Sequence, residues 1–187
     1  LEENLRMIYE SVDLLVRQGR KVIFDAEHFF DGYNEDKEYA LAAITAAHEA
    51  GARTICLCDT NGGRLPGEIY DIISQLKSKG FELGMHAHDD IGCGVANTLS
   101  AVQAGAVHVQ GTLLGMGERC GNANLSAIIP TLMLKLGLDC IPPQKLCLLT
   151  KQARTVAEIS NVVLPANLPY IGKMAFAHKA GMHIDAL

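Results

Sequence analysis

The chain has 187 residues, 49% of them apolar, which is enough length and apolar content for one globular domain with a real core and excludes a disordered chain. Its net charge of −5 excludes the broad basic face that a nucleic-acid partner would need. It leaves room for a small anionic substrate held by a few local cations. The six cysteines, at positions 56, 58, 93, 120, 140 and 147, form no C-x-x-C and no disulfide-dense pattern, so a cytoplasmic setting is expected. No apolar run is long enough to span a membrane and no signal peptide is visible, so no membrane partner is expected. The first residue is Leu1, already inside a helical pattern, and the chain is expected to be a piece of a longer protein.

Leu5, Ile8, Val12, Leu15 and Val16 recur at helical spacing, which predicts an opening helix ended at Gly19. Lys21 to Asp25 reads as a buried parallel strand. An Ala-rich helix is predicted over Glu38 to Ala50, a strand over Thr54 to Asp59, and a helix over Pro66 to Lys79 with the proline in its first turn. A third strand is expected over Glu82 to His88, a helix over Ile91 to Ala104, a fourth strand over Val107 to Thr112 and a helix over Asn124 to Leu136. Ile141-Pro142-Pro143 reads as a linker, Gln144 to Ser160 as a helix, Asn161 to Tyr170 as irregular, and Phe176 to Asp185 as the start of a further element.

Strand and helix alternate, with strands starting roughly 25 to 33 residues apart. The fold class expected is α/β: four βα units, the C-terminal half (strands five to eight) of a TIM (β/α)8 barrel, followed by the start of a helical subdomain. The expected division is a partial barrel catalytic domain over 1–140, and a linker with the beginning of a C-terminal subdomain over 141–187. Polar residues gather at the C-terminal end of each strand, where such folds place their sites.

The sharpest of these is His86-Ala87-His88. A strand repeats every two residues, so both imidazoles point to one face. Two converging histidines with an oxygen ligand suit Zn, Mn, Co or Fe better than Mg alone. Spacing alone leaves two unrelated histidines equally open. The loop Gly115 to Asn124 is rich in glycine and carries Glu118, Arg119 and Asn122; Asn122 or Asn124 could equally cap the next helix. Asp59-Thr60-Asn61 reads either as a βα turn or as a contact for a carboxylate substrate. Asp25 and Glu27 are two apart and share a face. Arg64 and Arg119 read more readily as solvated surface than as substrate clamps, and Cys56 and Cys58 as buried structural thiols. His183 and Asp185 sit in a Gly-x-His-x-Asp string, where a histidine beside a carboxylate can act as a general base.

Together these segments resemble the metal-dependent barrel enzymes that condense acyl-CoA with keto acids, the 2-isopropylmalate, homocitrate and citramalate synthase family. The resemblance covers nearly the whole chain. It rests on His86-x-His88-Asp89-Asp90, Gly117-Glu118-Arg119-x-Gly121-Asn122-Ala123, Asp59-Thr60-x-Gly62 and His178-Lys179-x-Gly181-x-His183-x-Asp185. Phe24 to Tyr33 is most similar to the citramalate synthase group. The resemblance implies an acyltransferase that joins acetyl-CoA, as co-substrate, to an α-keto acid in amino-acid biosynthesis. Pyruvate, giving citramalate on the way to isoleucine, is the expected keto acid. It further implies a divalent metal (Mn, Mg, Zn or Co) held by His86, His88 and Asn122. Thr60 and Glu118 would bind substrate, Glu27, His183 and Asp185 would be catalytic, and the full-length protein would be a homodimer. The family's other metal ligand is an aspartate beside an arginine on the first barrel strand, and no Arg-Asp-Gly occurs here. The chain alone is therefore expected to be inactive as a synthase and to self-associate through its strand edges. A synthase for another keto acid, a hydroxyacyl-CoA lyase of the related barrel group and an inactive scaffold are the rival readings.

Overall fold

The computed structural model describes residues 1–178, so the tail containing His183 and Asp185 lies outside the described residues. The order of elements is α1 (Glu2–Arg17), β1 (Ile23–Ala26), α2 (Phe29–Glu35), α3 (Lys37–Glu49), β2 (Thr54–Asp59), α4 (Pro66–Lys77), β3 (Leu83–Ala87), α5 (Gly94–Gln103), β4 (His108–Gln110), a 3-10 turn (Leu113–Gly115), α6 (Leu125–Lys135), a second 3-10 turn (Pro143–Leu148) and α7 (Leu149–Ile159). The four strands form one parallel sheet in the order β1-β2-β3-β4. Repeated βα units around a parallel sheet are the expected partial barrel.

Register explains why the sheet has one apolar and one polar face. Phe24, Ile55 and Leu83 align across the strands, as do Ala26, Leu57, Met85 and Val109. Ile55, Leu57, Leu83 and Met85 are essentially fully buried, together with Ile44 of α3 and Ile69, Ile73 and Leu76 of α4. Each such side chain contributes about 1.5–3 kcal/mol by leaving water. The alternate rows are Asp25–Cys56–Gly84–His108 and Cys58–His86–Gln110. Every site residue on a strand comes from that second face. Gly84 keeps the row flat: a Cβ there would come within 3.0 Å of the His108 ring and 3.3 Å of Cys56 Cα.

The largest differences from the sequence expectation lie in three helical segments. The Phe29–Glu35 helix was not expected, because Gly32 and clustered polar residues hide any period. It is held by packing instead: Phe29 meets Phe30 edge-on at 5.6 Å and Tyr33 at 5.5 Å, and all three are buried. The helix expected from Ile91 starts at Gly94, because Asp89 Oδ1 accepts the Gly94 amide at 2.6 Å and Gly92, at φ +74°, turns the chain first. The helix expected over Gln144 to Ser160 divides into the second 3-10 turn, opened by a proline at its first position, and α7.

The chain forms two compact units. Residues 1–111 with 117–123 make the first, which holds the sheet and α1 to α5. Residues 112–116 with the chain from Asn124 onward make the second. Within the second unit Thr112 bridges Asn124, and the Leu125 amide donates to Thr112 O at 2.9 Å. Ala153, Ala157 and Ile171 are buried there, and Thr131 Oγ1 lies 3.1 Å from the Tyr170 hydroxyl. Asn161 to Tyr170 forms turns rather than a helix or strand, and the chain continues in turns to Phe176. No helix among the described residues is long and apolar enough to cross a membrane.

Candidate functional site

His86, His88, Gln110, Arg119, Asn122, Glu27 and Thr60 all belong to the first unit. The site grows from the C-terminal end of β3. His86 lies on the strand and His88 one residue past it; their rings stack at 5.4 Å between centroids and 20° between planes. The loop that carries Asn122 is zipped antiparallel onto this end. Asp89 N donates to Gly121 O at 3.0 Å, Ala123 N donates to Ala87 O at 2.8 Å, and His88 and Asn122 form an isolated bridge. That zip brings Asn122 Oδ1 to 2.9 Å from His86 Nε2. The helix-cap role left open by the sequence falls to Asn124, whose side chain accepts the Ser126 amide.

Gly117 makes the arrangement possible, because a Cβ at that position would overlap the Asn122 side-chain amide. Arg119 locks the same loop. It sits at φ +55°, forks its Nε and Nη2 onto Asp90 at 2.8 and 3.0 Å, and donates to the Thr60 carbonyl at 2.6 Å. Arg119 is exposed as expected, at 38% of its side chain, and its bidentate pair with Asp90 fixes the loop rather than a substrate. The expectation of a solvated Arg64 is corrected: its side chain is 17% exposed and pairs with Asp31 at 2.5 Å. Glu118 is 80% exposed and reaches Arg119 at 3.7 Å.

A second cluster joins β1 to β2. Thr60 Oγ1 donates to Glu27 Oε2 at 2.8 Å and accepts the His28 amide at 2.8 Å. Asn61 donates to Asp31, which also faces His28 at 3.5 Å. Below them Asp59 is 2% exposed. Burial pushes its carboxyl above the usual range, opposed by the Arg64 and Gly63 amides that it accepts. Asp59 thus builds the βα turn, and Thr60 is the residue turned toward Glu27. Cys56 and Cys58 are buried as expected, at 0% and 1% exposure.

Sequence reading passed over Gln110. It aligns with His86 across β3 and β4, accepts at Oε1 from His86 Nδ1 at 2.7 Å, and donates from Nε2 to Asp25 Oδ1 at 2.8 Å. Strand register was the signal that could have found it, since the two-residue period puts Gln110 on the same face as His108 in the polar row.

No three His, Cys, Asp or Glu side chains are grouped to hold a metal ion among the described residues. Two imidazoles and an amide oxygen stand together at the β3 end. His86 Nε2 faces an amide oxygen while its Nδ1 faces another, and a neutral ring has one proton for the two. His88 Nδ1 is buried without a hydrogen-bond partner. An acceptor pair at close range beside an orphaned imidazole nitrogen is a donor set that a divalent cation would satisfy.

Comparison with known proteins places these features in a family. The chain is 57% identical over its whole length to an (R)-citramalate synthase from Aquifex aeolicus. It is 36% identical over 98% of its length to a homocitrate synthase from Sulfolobus acidocaldarius, of which it covers 38%. The chain spans 36% of the length of the Aquifex enzyme. In three dimensions it is similar to the carboxyl transferase domain of Rhizobium etli pyruvate carboxylase, with a TM-score of 0.65 at 19% identity, covering 82% of this chain and 26% of that one. The HMGL-like family model matches residues 1–156, so the half barrel and its histidine-bearing strand end are those of a chain that belongs to the HMGL-like family.

Proposed function

We propose that this chain carries the second half of the active barrel of a citramalate synthase, joining the acetyl group of acetyl-CoA to the keto carbon of pyruvate. In this reading residues 1–140 belong to the catalytic barrel and residues 141–187 begin a subdomain that serves a homodimeric, cytoplasmic enzyme of isoleucine biosynthesis. The observation that carries the reading is the approach of His86 Nε2 to Asn122 Oδ1 at one strand end, with the His88 ring, whose Nδ1 has no hydrogen-bond partner, stacked on that of His86. The 57% identity to a citramalate synthase, against 36% to a homocitrate synthase, supports pyruvate over a longer keto acid.

His86, His88 and Asn122 would hold a divalent metal, which when bound supplies Lewis-acid polarisation of a keto oxygen. The remaining work falls to side chains. Thr60 presents a hydroxyl at the β2 end and Glu27 a carboxylate 2.8 Å from it, so the pair can orient a keto acid and accept a proton. Glu118 extends from the Arg119-anchored loop as an exposed substrate contact. His183 and Asp185, outside the described residues, remain the proposed pair for moving a proton at the acetyl methyl. The new carbon–carbon bond forms between that methyl carbon and the keto carbon. The keto oxygen becomes a hydroxyl, and water cleaves the thioester to release CoA.

The test is a keto-acid panel on the full-length protein, read as CoA released. Pyruvate should be preferred; preference for 2-ketoisovalerate would overturn the assignment. A methylene changes selectivity by about 1–3 kcal/mol in an apolar pocket, so the panel should separate neighbours by tenfold or more.

A further inference from the structure

We propose that Gln110, oriented by Asp25, is a positioning residue that fixes His86 as its Nδ1–H tautomer and leaves the Nε2 lone pair facing Asn122. The argument runs from the carboxylate inward. Asp25 Oδ1 accepts, so the Gln110 group 2.8 Å away must be the amide NH2. With the NH2 committed, the other end of the amide, the oxygen, faces His86 Nδ1 at 2.7 Å. An amide oxygen only accepts, so Nδ1 carries the ring proton. Nε2 is then an acceptor set 2.9 Å from Asn122 Oδ1. The chain Asp25–Gln110–His86 spans β1, β4 and β3, so three strands set one lone pair.

Asp25 and Gln110 have no part in the two-histidine motif that suggested a metal. Their effect on cation affinity rests on the proposed metal reading; their effect on the tautomer does not. Partners of this kind, behind a ligating histidine, typically change metal affinity by 10–100-fold.

The test uses long-range proton–nitrogen NMR of the metal-free chain, then calorimetric titration with Zn2+. In the parent, His86 should show a protonated Nδ1 and an unprotonated Nε2. Gln110→Leu should release the ring toward a tautomer mixture and weaken Zn2+ binding about 10–100-fold. Asp25→Asn, an isosteric change at an exposed position, should move both readouts in the same direction by less, because its amide can present either end to Gln110. His86→Ala should abolish binding. An Nε2–H tautomer or a doubly protonated ring in the parent would overturn the proposal. So would an unchanged tautomer in both variants. If Zn2+ binds the parent and both variants equally but not His86→Ala, positioning fails and the metal site stands. If nothing binds while the Nδ1–H tautomer is locked in the parent and released in the variants, positioning stands and the metal reading falls.

Discussion

Asn122 reaches His86 because residue 117 has no side chain to obstruct its amide. Gly117→Ala should therefore act on the site rather than on the fold. The added methyl must push the Asn122 amide aside, which removes one oxygen donor. We expect cation affinity to fall about 10–100-fold, as for loss of a supporting ligand contact, measured by calorimetry. Equal affinity would mean that Asn122 is no ligand. The two asparagines of this loop separate the same way. Asn124→Ala removes the cap of α6 and should cost about 0.5–2 kcal/mol of stability in urea unfolding. Asn122→Ala should cost cation affinity. The sequence left the two interchangeable, because both are asparagines near a helix start. What distinguishes them is the pairing of the loop with β3, a contact over more than thirty residues that no local spacing encodes.

At the scale of elements, α2 and the loop after β2 are tied by Asp31 and Arg64. Burial by itself would raise the Asp31 carboxyl, but the bonds from Arg64, His28 and Asn61 bring it net below the usual carboxylate range. A carboxyl depressed in the folded state stabilises fully above its unfolded value and loses that contribution as pH falls through the folded value. Acid should therefore begin to loosen α2 below about pH 3.9, the ordinary aspartate value. Asp31→Asn should flatten the fall in unfolding free energy in that window and leave the slope near pH 7 unchanged, read from urea titrations at stepped pH. A parent curve with no acid slope assignable to Asp31 would remove the tie. The elements legible in the sequence were those with their own period and punctuation: β2, the Pro66 helix, the glycine-ended helices. The short helix Phe29–Glu35 was not, since three buried aromatics hold it and their partners are set by tertiary packing. The C-terminal ends of β3 and β4 were read one and two residues too long for the same reason: beyond Ala87 and Gln110 the ladder stops and loop contacts take over.

Over the whole molecule, six free thiols sample every layer and give an internal test of the fold. Cys120, Cys140 and Cys147 are exposed, Cys93 is half-buried, and Cys56 and Cys58 lie in the sheet at 0% and 1% exposure. Reactivity follows the thiolate and its access. Burial pushes the Cys140 thiol up, so Cys140 should lag behind Cys120 and Cys147 under an aromatic disulfide reagent at pH 8. Cys56 has two obstacles. The hydrogen bond with Cys58 and then burial push its thiol far up, and it is fully buried on a strand paired on both sides, by β1 and β3. The Cys56–Cys58 pair should therefore react only through opening of the parallel sheet. Native labelling should stop at four thiols, with Cys93 the slowest of them. The last two should follow the equilibrium of global opening, their rate rising with urea along the unfolding curve. Replacing Ile73, fully buried in α4, with alanine should cost about 2–5 kcal/mol. It should speed the last two thiols by 30-fold or more and leave Cys120 and Cys147 unchanged. If Cys56 and Cys58 labelled as fast as Cys120, the four strands would not form one cooperative sheet, and the row that aligns Cys58 with His86 and Gln110 would lose its structural basis.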